Sequence, residues 1–163
     1  MGGVYKLVSI EENEEMVDTI KISANPEKVT TPGSKRVYRI INNENGHSEG
    51  DYIALEDENP PQEEPRLKMF HPVHTYISKF VTNFTAKDLH QDVVVDGKIC
   101  YESPSLQEIQ NYTTENMNLL WEEYKRTMKP EEYPVDLSEK CWENKMNLIK
   151  AIKQRVKGMV KSE

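Results

Sequence analysis

At 163 residues and a formal net charge of −7, the chain is sized for one ordinary domain or one and a half small ones. Its acidity argues against general binding to nucleic acid or to an anionic membrane. The hydrophobic fraction of 36% lies below the ~45–50% of typical globular domains, and 30% of residues are charged, so the chain buries a modest core or offers apolar surface to another segment or subunit.

Val4 to Ile10 reads as a first strand, rich in β-branched and aromatic residues and ending at the acidic stretch Glu11 to Glu15. Met16 to Ser23 alternates as a second strand. Between Lys21 and Arg39 the chain gathers Lys21, Lys28, Lys35, Arg36 and Arg39 against a single acid, Glu27. Cations concentrated on an acidic chain repel one another, so an anionic partner is the natural reason for the cluster. In Thr31-Pro32-Gly33-Ser34, Pro at i+1 and Gly at i+2 suit a type II turn, because Gly accepts positive φ without steric cost. The cations are therefore expected on strand ends and a turn, a small patch suited to the phosphates of a small molecule.

Val37 to Ile41 and Tyr52 to Leu55 read as further strands, separated by the turn Asn42 to Gly46. The acidic run from Glu56 to Pro65 has no periodicity and contains Pro60-Pro61, so 57–65 is read as a linker between a β-rich segment, 1–56, and a C-terminal α+β domain, 66–163. Beyond it, Asp96-Gly97 between two β-prone runs, from Val93 to Tyr101, is the clearest hairpin signal. Ser105 with Glu108 forms a capping box ahead of an apolar helical repeat from Leu106 to Tyr124. Asp136 with Glu139 is read as the cap of a second helix whose stripe runs Trp142, Met146, Ile149, Ile152, Val156 and Met159. The expected fold is α+β: a small, mostly antiparallel sheet with hairpins in the first two-thirds, and a helical hairpin at the C-terminus packed on it.

Lys6 shares a strand face with Val4, Val8 and Ile10, where an ammonium must snorkel to solvent or find an anion. Lys21 falls on the polar face of its strand. The pair His71 and His74 adjoins Pro72, which disfavours the helix that would present both to one metal, so no metal site is expected and these histidines read as surface or packing residues. The basic tail from Lys145 to Lys161 reads as a solvated helix face. Cys100 and Cys141 lack CxxC spacing and read as free thiols. No apolar run approaches the ~18 residues of a membrane helix, and Met1-Gly2-Gly3 opens no signal peptide. No Ser-His-Asp set, P-loop or G-x-G-x-x-G is present, so no catalytic residue is assigned.

The motifs Gly2-Gly3-Val4-Tyr5-Lys6-Leu7-Val8, Lys21-Ile22-Ser23 through Pro32-Gly33 to Lys35, Val37-x-Arg39-Ile40 and Gly50 to Glu56 resemble the C-terminal region of bacterial nicotinate phosphoribosyltransferases. The similarity continues in order through Thr82 to Ala86, Asp96 to Lys98, Leu120 to Glu123 and Tyr133 to Ser138. That resemblance implies a cytoplasmic enzyme of NAD biosynthesis, making nicotinate mononucleotide and pyrophosphate from nicotinate and phosphoribosyl pyrophosphate with ATP hydrolysis, and using Mg. It also implies an N-terminal α/β domain and an active-site barrel preceding the region seen here, a homodimer when intact, and no activity or cofactor for this region alone. None of the four histidines matches the family's phosphorylatable catalytic histidine. In the related nicotinamide enzymes, lysines equivalent to Lys6 and Lys21 reach phosphates at a dimer interface. The resemblance thus assigns Lys6 and Lys21 to phosphate contact, with Lys28, Lys35 and Arg36 as members of the surrounding patch. On residue chemistry alone, a stand-alone anion-binding or protein-interaction module remains the alternative.

Overall fold

Asn13 and Glu14 both adopt positive φ (53° and 66°), the signature of a two-residue hairpin turn, and join β1 (Ser9–Glu12) to β2 (Glu15–Asp18). The structure, a computed structural model, describes residues 5–74 and 76–160, the side chains of 159 and 160 excepted. Both early strands are shorter than their residue types suggest. Val4 lies outside the described residues, Tyr5 to Val8 belong to no strand, and Lys6 is exposed between exposed neighbours. The ladder stops at Asp18 because the chain turns to other partners. The Val8 carbonyl accepts the N–H of both Thr19 and Gly33 (2.9 Å each), and Lys21 exchanges hydrogen bonds with Thr30. The hairpin is thereby rooted on the Pro32-Gly33 turn, where Gly33 has the positive φ (90°) expected of a type II turn.

The main sheet contains β3 (Lys35–Asn42), β4 (Ser48–Leu55), β5 (Arg66–Phe70), β6 (Ser78–Thr82) and β7 (Phe84–Asp88). After it come the separate hairpin β8 (Val94–Val95) and β9 (Lys98–Ile99), then α1 (Leu106–Asn118), a single turn α2 (Glu122–Lys125), β10 (Val135–Leu137) and α3 (Glu139–Val160). Strand β10 re-enters the main sheet, whose order is β6-β5-β10-β4-β3-β7. Among the described strands only the β10–β4 pair is parallel. Tyr38, Ile40, Tyr52, Ala54, Leu67, Met69 and Val81 fill one face. Phe84 and Ala86 join them from the opposite edge, so the sheet curls around its own core. The other face places Phe70 and Leu137, with Ile53 and Leu55, against Cys141 and Trp142 of α3. Burying side chains such as Ile40, Met69 and Leu137 completely contributes about 2 kcal/mol each.

The α+β class and the mostly antiparallel sheet agree with expectation, as do the Asp96-Gly97 hairpin, with both turn residues at positive φ, and the Ser105–Glu108 capping box. Other expectations are corrected. The segment 57–65 does not divide the sheet into separate domains: β4 before it and β5 after it both hydrogen-bond to β10, and Pro61 is buried within it. The helices are not the arms of a hairpin, since a strand of the main sheet lies between them. Asp136 is not a cap; it lies in β10, paired opposite Tyr52. Ser138 caps α3 instead, its Oγ accepting the Cys141 N–H (2.9 Å) while donating to Glu58. Parallel pairing with β4 claims residues 135–137 and delays the helix to the next available hydroxyl.

Candidate functional site

The segment from Pro26 to Thr31 that leads into the Pro32-Gly33 turn, the first residue of β3, the loop after β5 and Lys145 of α3 line an open cavity of about 620 Å³. Lys6, Lys35 and Lys145 line it together with His71 and His74, and the exposed carboxylates Glu27 and Glu132 complete its lining. Lys35 and Lys145 share Thr31. Lys35 Nζ donates to the Thr31 carbonyl (2.9 Å) and to that of Gly33, while Lys145 Nζ donates to Thr31 Oγ1 (3.4 Å) and the Pro72 carbonyl (3.0 Å). Neither makes an ion pair among the described residues. Burial lowers the pKa of both. For Lys35 the nearby Cys141 and Asp18 oppose that shift; for Lys145 Cys141 opposes it and Lys6 adds to it. Burying an ammonium whose hydrogen-bond acceptors are all neutral is costly, and an anion in the cavity would add to the partial relief that Asp18 gives Lys35.

His71 is held by its loop. Its Nδ1 accepts the backbone N–H of Val73 (3.1 Å) and of His74 (2.9 Å), an arrangement that puts the ring proton on Nε2. A donor on the cavity wall follows. Among the described residues no group of three His, Cys, Asp or Glu is placed to hold a metal ion. The Cys141 thiol beneath the site is fully buried, and burial pushes its pKa up to about 12, so it packs rather than reacts.

The five cations singled out in the sequence do not form one patch. Lys6 and Lys35 meet in the cavity. Arg36, one residue on and therefore on the opposite strand face, pairs with Asp88 of β7 (2.9 Å) at the surface. Lys21 and Lys28 are exposed on the segment leading into the turn; Lys28 closes a short 3₁₀ turn, Pro26–Lys28, capped by Asn25. Neither lines the cavity, and neither Lys6 nor Lys21 makes an ion pair among the described residues. Lys145 was hidden in the basic tail, yet it is only 4% exposed. The signal that could have found it is helical spacing: Cys141, Lys145, Leu148 and Ile152 recur at four, three and four residues, putting a lysine on the buried stripe.

A profile described as the nicotinate phosphoribosyltransferase C-terminal domain matches residues 34–145. The nicotinate phosphoribosyltransferase of Bacillus subtilis (strain 168) is 63% identical over all 163 residues, which make up 33% of its length. Those of Mus musculus and Caenorhabditis elegans are 34% and 31% identical over 86% and 88% of this chain, each alignment covering 25% of the relative. The crystal structure of human nicotinic acid phosphoribosyltransferase superposes with a TM-score of 0.64 at 25% identity, over 76% of this chain and 23% of that one. The chain therefore spans a third or less of the length of the relatives it matches.

Proposed function

Because the chain belongs to the nicotinate phosphoribosyltransferase family, we propose that it supplies the phosphate-contacting lysines of such an enzyme rather than its catalytic group. The observation that carries the reading is the convergence of Lys6 and Lys35 on one cavity beside the Pro32-Gly33 turn. The whole enzyme would make nicotinate mononucleotide and pyrophosphate from nicotinate and phosphoribosyl pyrophosphate, coupled to ATP hydrolysis, in the cytoplasm. The remaining two-thirds of the relatives' length would carry the reacting centre and the nicotinate pocket, and a homodimer would complete the assembly. Mg²⁺ would arrive on the phosphates of the substrates, which suits a chain offering ammonium donors. Lys21 and Lys28, on the exposed segment beside the cavity, would reach phosphates that extend out of it. Arg36, already paired with Asp88, would not contribute.

The physical contribution is electrostatic. Bond cleavage at the ribosyl carbon leaves charge on the departing pyrophosphate, and cations fixed beforehand stabilise that charge with little reorganisation. Lys35 is fixed in this way by two carbonyls of the turn. In an enzyme carrying this chain as its C-terminal third, Lys6→Ala is expected to raise KM for phosphoribosyl pyrophosphate or ATP about tenfold or more, the worth of one charge-assisted hydrogen bond, while KM for nicotinate stays within about twofold. Steady-state kinetics with each substrate varied in turn tests this. Unchanged parameters for both phosphorylated substrates would remove the role.

A further inference from the structure

An ammonium has three N–H donors. Lys145 uses two, on Pro72 and Thr31, and Lys35 uses two, on the carbonyls of Thr31 and Gly33. The third donor of each has no acceptor among the described residues, and both lysines line the same cavity. Lys145 is 4% exposed, so bulk water does little to solvate its charge. The carboxylates on the lining, Glu27 and Glu132, are exposed and bond to neither lysine. The buried Lys145 and the half-buried Lys35, which has Asp18 nearby, thus bring two ammonium groups to one cavity from segments far apart in sequence.

We propose that Lys145 of α3 is a further anion ligand of this cavity, acting with Lys35 and the His71 Nε2–H to hold the pyrophosphate group of a phosphorylated substrate. The proposal rests on the phosphate reading of Lys6 and Lys35 and extends it to the C-terminal helix. A carboxylate offers two coplanar oxygens and one charge. Pyrophosphate presents oxygens around two tetrahedral centres and carries several charges, matching ammonium and imidazole donors that arrive from the N-terminal segment, the turn, the β5 loop and the helix. Binding would also tie α3 to the Pro32-Gly33 turn through Thr31, on which both lysines already close.

The test is thermal unfolding and calorimetric titration of the 163-residue chain with inorganic pyrophosphate, against chloride at matched ionic strength. Wild type and Lys98→Met, altered on the exposed β8–β9 hairpin, are expected to gain Tm with pyrophosphate and to share one Kd. In Lys145→Met that Kd is expected to weaken about tenfold or more. Without pyrophosphate, its Tm is expected to be no lower than that of wild type, because Met fills a similar volume without a buried charge. A wild-type Kd in Lys145→Met overturns the proposal; if Lys35→Met meanwhile loses binding, the phosphate reading stands and only the role of Lys145 falls. No response in wild type overturns both. Hydrogen exchange on wild type alone decides the matter should the variant not fold: pyrophosphate must slow exchange in α3 around Lys145 as well as at the turn. Slowing at the turn alone, or equal slowing by a dicarboxylate, counts against the proposal.

Discussion

Gly50→Ala is expected to destabilise the chain by about 2–4 kcal/mol, seen as a fall in Tm of roughly 5–15 °C. Gly50 lies in β4 with φ of 138°, a region that side chains rarely adopt. It pairs with Ile40 and flanks the bulge of its own strand, where Glu49 is the extra residue between Ser48 and Gly50. An added Cβ would stand 2.8 Å from the Pro134 carbonyl oxygen and 3.0 Å from Pro134 Cγ. That carbonyl accepts the Asp51 N–H (3.0 Å), so it cannot retreat without breaking a hydrogen bond. Pro134 also leads directly into β10, the strand that joins β4 to β5 and delivers Ser138 to cap α3. Displacing it would therefore disturb the sheet and, through α3, the position of Lys145. Gly46→Ala is the control: φ is 73° there, but no described atom lies within 4 Å of the added Cβ, so only about 1 kcal/mol is expected. Urea unfolding of both variants checks the pair, and equal losses would contradict the close approach at Gly50.

Arg39→Met is expected to cost about 3 kcal/mol, because it strands a carboxylate in a nearly closed setting. Arg39 makes two parallel bonds to Asp51 (2.9 and 3.1 Å), and the two side chains are 18% and 13% exposed. Tyr133 donates to the same carboxylate (2.9 Å) and contacts Ser48 Oγ (2.6 Å); burial pushes its phenol up to about 12. The third arm of the guanidinium reaches Asn116 of α1 (3.0 Å). Helix α1 has no fully buried residue, so this bond and the Ser48 N–H to Leu119 carbonyl bond (2.7 Å) do much to hold its C-terminal end. Amide exchange in α1 should therefore accelerate in Arg39→Met more than in α3. The double variant Arg39→Met/Asp51→Leu should recover much of the loss, since removing both charges leaves none unpaired. A double variant as unstable as the sum of its single substitutions would show that the pair does not act as a unit.

Local signals were legible where local chemistry decides the outcome. The Pro32-Gly33 turn, the Asp96-Gly97 hairpin and the Ser105–Glu108 box each specify a backbone conformation within four residues, and each is present. Strands β5, β6 and β7 carry Lys, Arg, Ser and Asp between their apolar residues, and β10 is three residues long. They are strands because neighbours from distant sequence supply their partners, a tertiary effect that propensity does not carry. The same holds for the site. Charge density pointed to the Lys21–Arg39 segment, and Lys6 and Lys35 do share a cavity. Charge density could not reveal that Arg36 is claimed by Asp88, 52 residues away, nor that a lysine in a basic tail turns inward against Thr31, 114 residues away.

Whether the cavity beside the Pro32-Gly33 turn binds phosphate oxygens decides what this chain contributes to an enzyme. Amide NMR of the isotope-labelled chain, titrated with inorganic pyrophosphate at constant ionic strength, reads that binding residue by residue. Saturable shifts centred on Lys6, Thr31, Gly33, Lys35 and the His71–His74 loop are the expected result. Shifts that do not saturate, or that gather on exposed cations such as Lys98 and Arg126 while the turn stays unmoved, would contradict it.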